Sequence, residues 1–248
     1  MRTLHYSKII FILITAFLTA NCKKISANNQ TSVAVSAADT TKIIINPGET
    51  DSKIYLALGD SYTIGQSVDS SQRFPAQTVA LLQKHGISIS HIQYIATSGW
   101  TTLDLLSAIE LQKPKGAFAA VSLLIGVNDQ HQSGDTTSYR QNFIEAIKKA
   151  LELADNNVSH VFVLSIPDYG VTPFGANNKE ISKQIDMFNA INKNVTNSFG
   201  ISYTDITDIS RNDGSNPNLI APDGLHPSGE QYAQWAQVLE PAMYKALK

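Results

Sequence analysis

The sequence predicts an α/β domain, a parallel five-stranded sheet with helices on both faces. Three observations lead there. From residue 53 onwards, short apolar runs alternate with stretches whose apolar residues recur every three or four positions, the order strand–helix–strand. Several of those runs are continuously apolar, as strands buried on both faces require. The region is about 195 residues long, a normal size for one globular domain.

The elements follow in order. Ile54–Leu58 is a short apolar strand that ends at Gly59. Pro75–Lys84 reads as a helix closed by Gly86. Ser88–Ile95 alternates and is the second strand, and Thr101 or Thr102 caps a helix that runs to Leu111 and stops before Pro114. Ala119–Ile125 is a third strand, ending at Gly126. Tyr139, Phe143, Ile147 and Leu151 stand four apart and mark an amphipathic helix. Val158–Leu164 is the fourth strand. Ile181, Ile185, Phe188, Ile191 and Val195 form the stripe of the next helix, followed by Gly200 and a fifth strand, Ile201–Thr204. Tyr232, Trp235, Leu239 and Met243 line the last helix.

The residues before 53 read differently. Arg2 and Lys8 precede an apolar run, Ile9–Ala20, which is short of the roughly 20 residues that a membrane-spanning helix needs. Residues 1–21 are therefore expected to be a secretory signal. Leu18-Thr19-Ala20-Asn21-Cys22 resembles a bacterial lipobox, with Asn21 where that motif has a small residue. Lipidation at Cys22 is expected, and with it an extracytoplasmic protein anchored to a membrane at the periplasm or cell surface; an ordinary signal with an incidental Cys is the alternative. Residues 22–52, rich in Ser, Ala, Asn and Thr, read as a tether, although Ile43-Ile44-Ile45 could pack on the domain. Cys22 is the only cysteine, so the domain at 53–248 has no disulfide to rely on. The chain carries 19 basic and 21 acidic side chains, with no basic stripe of the kind that binds nucleic acid, and none is expected as a partner.

Four short blocks hold the chemistry: Gly59-Asp60-Ser61, Ser98-Gly99, Gly126-Val127-Asn128-Asp129 and Asp223-Gly224-Leu225-His226. Three follow predicted strands and the fourth precedes the last helix. In an open parallel sheet, ligand sites lie beyond the carboxyl ends of the strands, so the blocks converge on one rim. Each also has an ordinary reading as a turn or helix cap, with Gly99 simply supplying a positive φ. Together they supply a hydroxyl, a histidine, a carboxylate three residues before it, backbone N–H groups and a side-chain amide. Acyl transfer by a serine needs these parts. Asp129 with His131, or Asp223 with His226, could be written as metal-ligand pairs, but no His-x-x-x-His or paired-Cys spacing accompanies them, and no metal is expected.

In these four blocks, and over residues 53–247 in their order, the chain resembles the SGNH (GDSL-type) hydrolases. The resemblance implies a three-layer α/β/α sandwich of flavodoxin-like type. It assigns Ser61 as nucleophile, His226 as base and Asp223 as its orienting acid. The oxyanion donors it implies are the N–H groups of Ser61 and Gly99 and the amide of Asn128. Asp60 is given a supporting place, and Asp129 one of holding its turn by local hydrogen bonds. No cofactor is implied. The substrate is expected to be a small-molecule ester with a short acyl group, acetyl included, on a small or carbohydrate alcohol. The irregular stretches Ile166–Lys179 and Ile206–Pro227, both expected beside the site, offer no contiguous apolar face for a lid. A lysophospholipase or thioesterase of the same family, and a surface binding protein that keeps the fold without turnover, are the rival readings. The protein is expected to be a monomer.

Overall fold

The structure, a computed structural model, describes residues 53–214 and 216–248. The expected signal segment, Cys22 and the tether lie outside the described residues. Five strands, β1 (Ile54–Gly59), β2 (His91–Ala96), β3 (Ala120–Leu124), β4 (Val161–Leu164) and β5 (Ser202–Thr204), form one sheet in the order β2-β1-β3-β4-β5. Every neighbouring pair is parallel.

The burial of each strand follows from its place in that order. Tyr55, Leu56, Ala57 and Leu58 of β1 are completely buried, as are Val121 and Leu123 of the adjoining β3. Strands β2 and β5 are the edges, and most of their residues are only partly buried, which is why Ser88–Ile95 read as alternating. One polar pair sits within the sheet: Tyr55 Oη donates to Ser122 Oγ at 2.8 Å.

The helices are α1 (Ser61–Ile64), α2 (Phe74–Lys84), α3 (Thr102–Gln112), α4 (Val127–Gln132), α5 (Thr136–Leu153), α6 (Lys179–Ser198), α7 (Thr207–Ser210) and α8 (Gly229–Leu247). Helices α2 and α8 pack together, and α3, α5 and α6 pack in sequence, giving the expected layers about the sheet. The stripes read from the sequence face the core: Tyr139, Phe143 and Ile147 on α5, Ile185, Phe188 and Val195 on α6, and Tyr232, Trp235, Leu239 and Met243 on α8 are buried, while Leu151, Ile181 and Ile191 are partly buried.

Two strand starts move by three residues, while the other strand limits move by one at most. The second strand starts at His91, opposite Ile54, where β1 begins. The fourth starts at Val161, opposite Val121. Val158–His160 has no strand to pair with and closes instead into a 3₁₀ turn, capped by the Asn157 side chain accepting from Ser159 N–H. Helices α1, α4 and α7 go unseen in the sequence because a single turn of four to six residues leaves no apolar period to read.

The Tyr55–Ser122 bond gives a stability test. Ser122→Ala leaves a buried phenol without an acceptor and is expected to cost about 1–3 kcal/mol in chemical denaturation. Adding Tyr55→Phe removes the orphaned hydroxyl and should recover most of that loss.

Candidate active site

Strand β1 ends in Gly59 because nothing larger fits. A Cβ there would lie 2.1 Å from Thr63 Oγ1 and 2.3 Å from the carbonyl oxygen of Leu124. The chain then turns directly into α1. Asp60 is its N-cap, with Oδ1 accepting from Tyr62 N–H at 2.9 Å. Ser61, the first residue of α1, is 6% exposed, and its Oγ lies 2.9 Å from His226 Nε2.

His226 stands in a loop closed by an isolated bridge between Ile220 and Pro227. Asp223 organises that loop. Its Oδ1 accepts from the N–H groups of Leu225 and His226, both at 2.9 Å, and its Oδ2 lies 2.7 Å from His226 Nδ1. Ser67 Oγ donates to the same Oδ2 at 2.5 Å. Partial desolvation pushes the Asp223 carboxyl up, but the Ser67 hydroxyl and the N–H groups of His226 and Leu225 outweigh it and hold the group well below the usual carboxylate range. An ionised carboxylate can only accept, so Nδ1 of the neutral imidazole carries the proton and Nε2 offers its lone pair to the Ser61 hydroxyl. The Tyr62 ring packs against the imidazole, centroids 5.1 Å apart.

The Gly99 loop is held from one side by α4. Gln132 Nε2 donates to Gly99 O and Asn128 Nδ2 to Trp100 O, each at 3.0 Å. Asp129 Oδ2 accepts from Thr102 N–H at 2.9 Å and from Thr102 Oγ1 at 3.0 Å. Besides the backbone bond within its own turn, the side chain of Asp129 thus reaches across to the start of α3. Gly99 itself has φ +83°, and a Cβ there would meet open space, so backbone conformation and not crowding calls for glycine.

These pieces line a cleft of about 360 Å³, with Ser61, Gly99, Asn128 and His226 together on its wall. Asp223 stands behind His226, while Asp60 and Asp129 are buried beneath. Both irregular stretches border the cleft, through Tyr169 and Phe174 and through Leu225 and His226. His131 and Tyr169 pack edge to face and Phe174 lies tilted against both, 57% exposed. Tyr169 Oη donates to Gln130 Oε1 at 2.8 Å and lies 3.2 Å from His131 Nδ1, so that nitrogen is the donor and His131 Nε2 an acceptor. Gln66 and Ser98, bonded to each other through Ser98 Oγ and Gln66 Oε1, add a polar side. Sequence reasoning missed Gln66, Ser67 and Gln132 and weighed His131 only as a metal ligand; each bonds to residues distant in the chain. Among the described residues, no three His, Cys, Asp or Glu side chains are grouped to hold a metal ion.

Asp60 is fully buried, and its Oδ2 has no hydrogen-bond partner among the described residues. Burial pushes its pKa up to about 8, against the Tyr62 N–H and with added repulsion from Asp129. The unfolded carboxyl ionises near 3.9, so the native state holds the extra proton in between, and stability falls as pH rises from about 4 to about 8. Asp60→Asn keeps the acceptor for Tyr62 and removes the titration. Its melting temperature relative to the wild type should climb across that range and level off above it; a constant difference would contradict the assignment.

Comparison with known proteins places this geometry. No curated protein sequence matches the chain. Among solved structures, TesA superposes with a TM-score of 0.61 at 20% identity, covering 79% of this chain and all of that one. A lipase/acylhydrolase from Enterococcus faecalis gives 0.59 at 18%, covering 79% and 97%. Axe2, an acetylxylan esterase from Geobacillus stearothermophilus, gives 0.55 at 20%, covering 79% and 94%. At such identities the likeness is one of fold, and it agrees with the layered parallel sheet. The sequence itself matches the model of the GDSL-like lipase/acylhydrolase family over residues 57–234, from inside β1 into α8 and so across all four blocks. The chain belongs to the GDSL-like lipase/acylhydrolase family.

Proposed function

We propose that the protein is a serine esterase that hydrolyses short-chain acyl esters of small or carbohydrate alcohols. The observation that carries this is the unbroken line from Asp223 Oδ2 through His226 to Ser61 Oγ at the wall of the cleft. In this reading Ser61 Oγ attacks the ester carbonyl carbon while His226 Nε2 takes its proton. The carbonyl oxygen gains the negative charge, received by the N–H groups of Ser61 and Gly99 and by the second N–H of the Asn128 amide, whose first is spent on Trp100 O. His226 returns the proton to the departing alcohol, leaving an acyl-serine. Water activated by the same imidazole then releases the acid. Asp223, kept ionised, holds the tautomer and offsets the imidazolium charge.

The cleft supports the substrate class. It is small, with Gln66, Ser98 and His131 available to hydroxyl groups and an exposed aromatic face at Phe174. That combination suits a compact polyhydroxy alcohol better than a long acyl chain. The acetylxylan esterase among the structural neighbours is compatible with it.

Ser61→Ala is expected to abolish hydrolysis of p-nitrophenyl esters, and His226→Ala to lose nearly as much, since the two act as a unit. Asp223→Ala should retain more. Asn128→Ala should lower kcat by about 10²–10³ with little change in KM. Across the ester series, activity should be highest at acetyl to butyryl and should not jump when the substrate forms micelles. A preference for long chains would favour a lysophospholipase instead, and a wild type inert on every ester a binding protein.

We further propose that Cys22 is lipidated and tethers the domain to a membrane outside the cytoplasm, the lipobox-like sequence before it being the ground. Cys22→Ser should then move the protein from the detergent phase to the aqueous phase in a partition assay. A wild type already found in the aqueous phase would refute this.

A further inference from the structure

Between α1 and α2 the chain makes a turn that the four blocks do not include. Its central residue, Ser67, is exposed, yet its backbone is left-handed, φ +67°, a conformation that costs a residue with a Cβ and that Asn, Asp or Gly adopts more readily. The turn is bonded on both sides. Gln66 accepts from Ser98, in the loop that carries Gly99. Ser67 Oγ donates to Asp223 Oδ2, a residue 156 positions later in the sequence.

The second bond falls on a sensitive atom. Oδ1 of Asp223 is taken by two N–H groups of its own loop, and Oδ2 is the oxygen facing His226 Nδ1. The Ser67 hydroxyl is therefore a donor, from another part of the fold, to the oxygen that orients the imidazole. Left-handed residues at Lys113, Asp155 and Asn156 close helix ends away from the cleft, whereas the unfavourable backbone of Ser67 serves a bond to the carboxylate behind His226, and strain of this kind clusters at functional sites.

We infer that Ser67 is a positioning residue for the ester hydrolysis proposed above, acting through Asp223 to fix the carboxylate plane and so the direction of His226 Nε2. This rests on the reading of Ser61, His226 and Asp223 as the reacting set. Ser67 touches neither substrate nor the proton in flight. It sets the angle at which Asp223 meets the ring, and its donated bond helps keep that carboxylate ionised.

Three variants separate this role from a structural one. Ser67→Gly removes the hydroxyl and relaxes the left-handed backbone. Ser67→Ala removes the hydroxyl and keeps the strain, and Ser67→Thr keeps a hydroxyl on a backbone that β-branching strains further. Melting temperature should follow the backbone, with Gly above Ala and Thr lowest. The kcat should follow the hydroxyl, falling about tenfold in both Gly and Ala with KM unchanged, and staying near wild type in Thr. In an Asp223→Ala background, Ser67→Gly should change kcat less than about twofold, since the coupled partner is gone. If kcat instead follows the melting temperature, or the Gly variant keeps full activity, the inference is overturned. Ser61→Ala is run alongside: were it active, the underlying reading would fail, whereas an inert Ser61→Ala with an unaffected Ser67→Gly would sink the role of Ser67 alone.

Discussion

The parallel register at the centre of the sheet is the constraint on which the site depends. Gly59, the last residue of β1, pairs with Ala96 of β2 on one side and Leu124 of β3 on the other, so the three strands end level. Ser61, Gly99 and Asn128 lie two, three and four residues beyond those ends, and so emerge on one edge of the sheet without any long loop to bring them there. A slip of one residue between β1 and β3, whose residues are buried on both faces, would also turn their apolar faces out of register, so the core enforces the alignment that the site requires. The close approach at Gly59 adds a steric check, because the carbonyl of Leu124 stands where a side chain would be.

Level strands bring the loops together but do not orient them; short polar helices do that. From one turn-and-a-half of helix, α4 sends Asn128, Asp129 and Gln132 to Trp100, Thr102 and Gly99. In the proposed mechanism Gly99 and Asn128 are the oxyanion donors, and these bonds from α4 to the Gly99 loop would supply the preorganisation that makes such donors effective when charge develops. The arrangement has a cost. It places two carboxyl groups, Asp60 and Asp129, under the site, where burial raises the pKa of both. Asp129 recovers part of that through two bonds from Thr102, whereas Asp60 Oδ2 has no partner among the described residues.

What the sequence disclosed and what it concealed divide along a physical line. The five strands and the long helices were legible because burial imprints a period on the chain, and the four blocks because Gly, Asp, Ser, Asn and His have few reasons to occur together at strand ends. The convergence of Ser61, Gly99, Asn128 and His226 on one cleft follows from topology and was foreseen. Three things were not. Single-turn helices such as α1 and α4 leave no period. Bonds such as Ser67 to Asp223 or Gln132 to Gly99 join residues whose local sequence carries no sign of the partner. The aromatic wall at His131, Tyr169 and Phe174 comes from two segments that each look merely polar with an occasional ring.

That wall is also less independent of the chemistry than a loop position suggests. Phe174 N–H donates to Gly224 O at 3.0 Å, which ties the segment bearing the exposed ring directly to the loop of Asp223 and His226. At its other end the segment is fastened by Asp168, buried, whose N–H donates to Ser210 Oγ and whose carboxylate accepts from Arg211 Nε at 3.0 Å. Gly224 meets the same segment again: a Cβ there would lie 3.4 Å from Pro173, and its φ of +73° already disfavours one. The aromatic wall and the loop of Asp223 and His226 are therefore bonded together at Gly224, and the wall's segment is fastened to α7 through Asp168. If the proposed function holds, substitutions that reshape the wall through its backbone are expected to shift His226 as well, whereas exchanging only the exposed Phe174 ring is expected to change what the cleft accepts and to leave Ser61 and His226 in place.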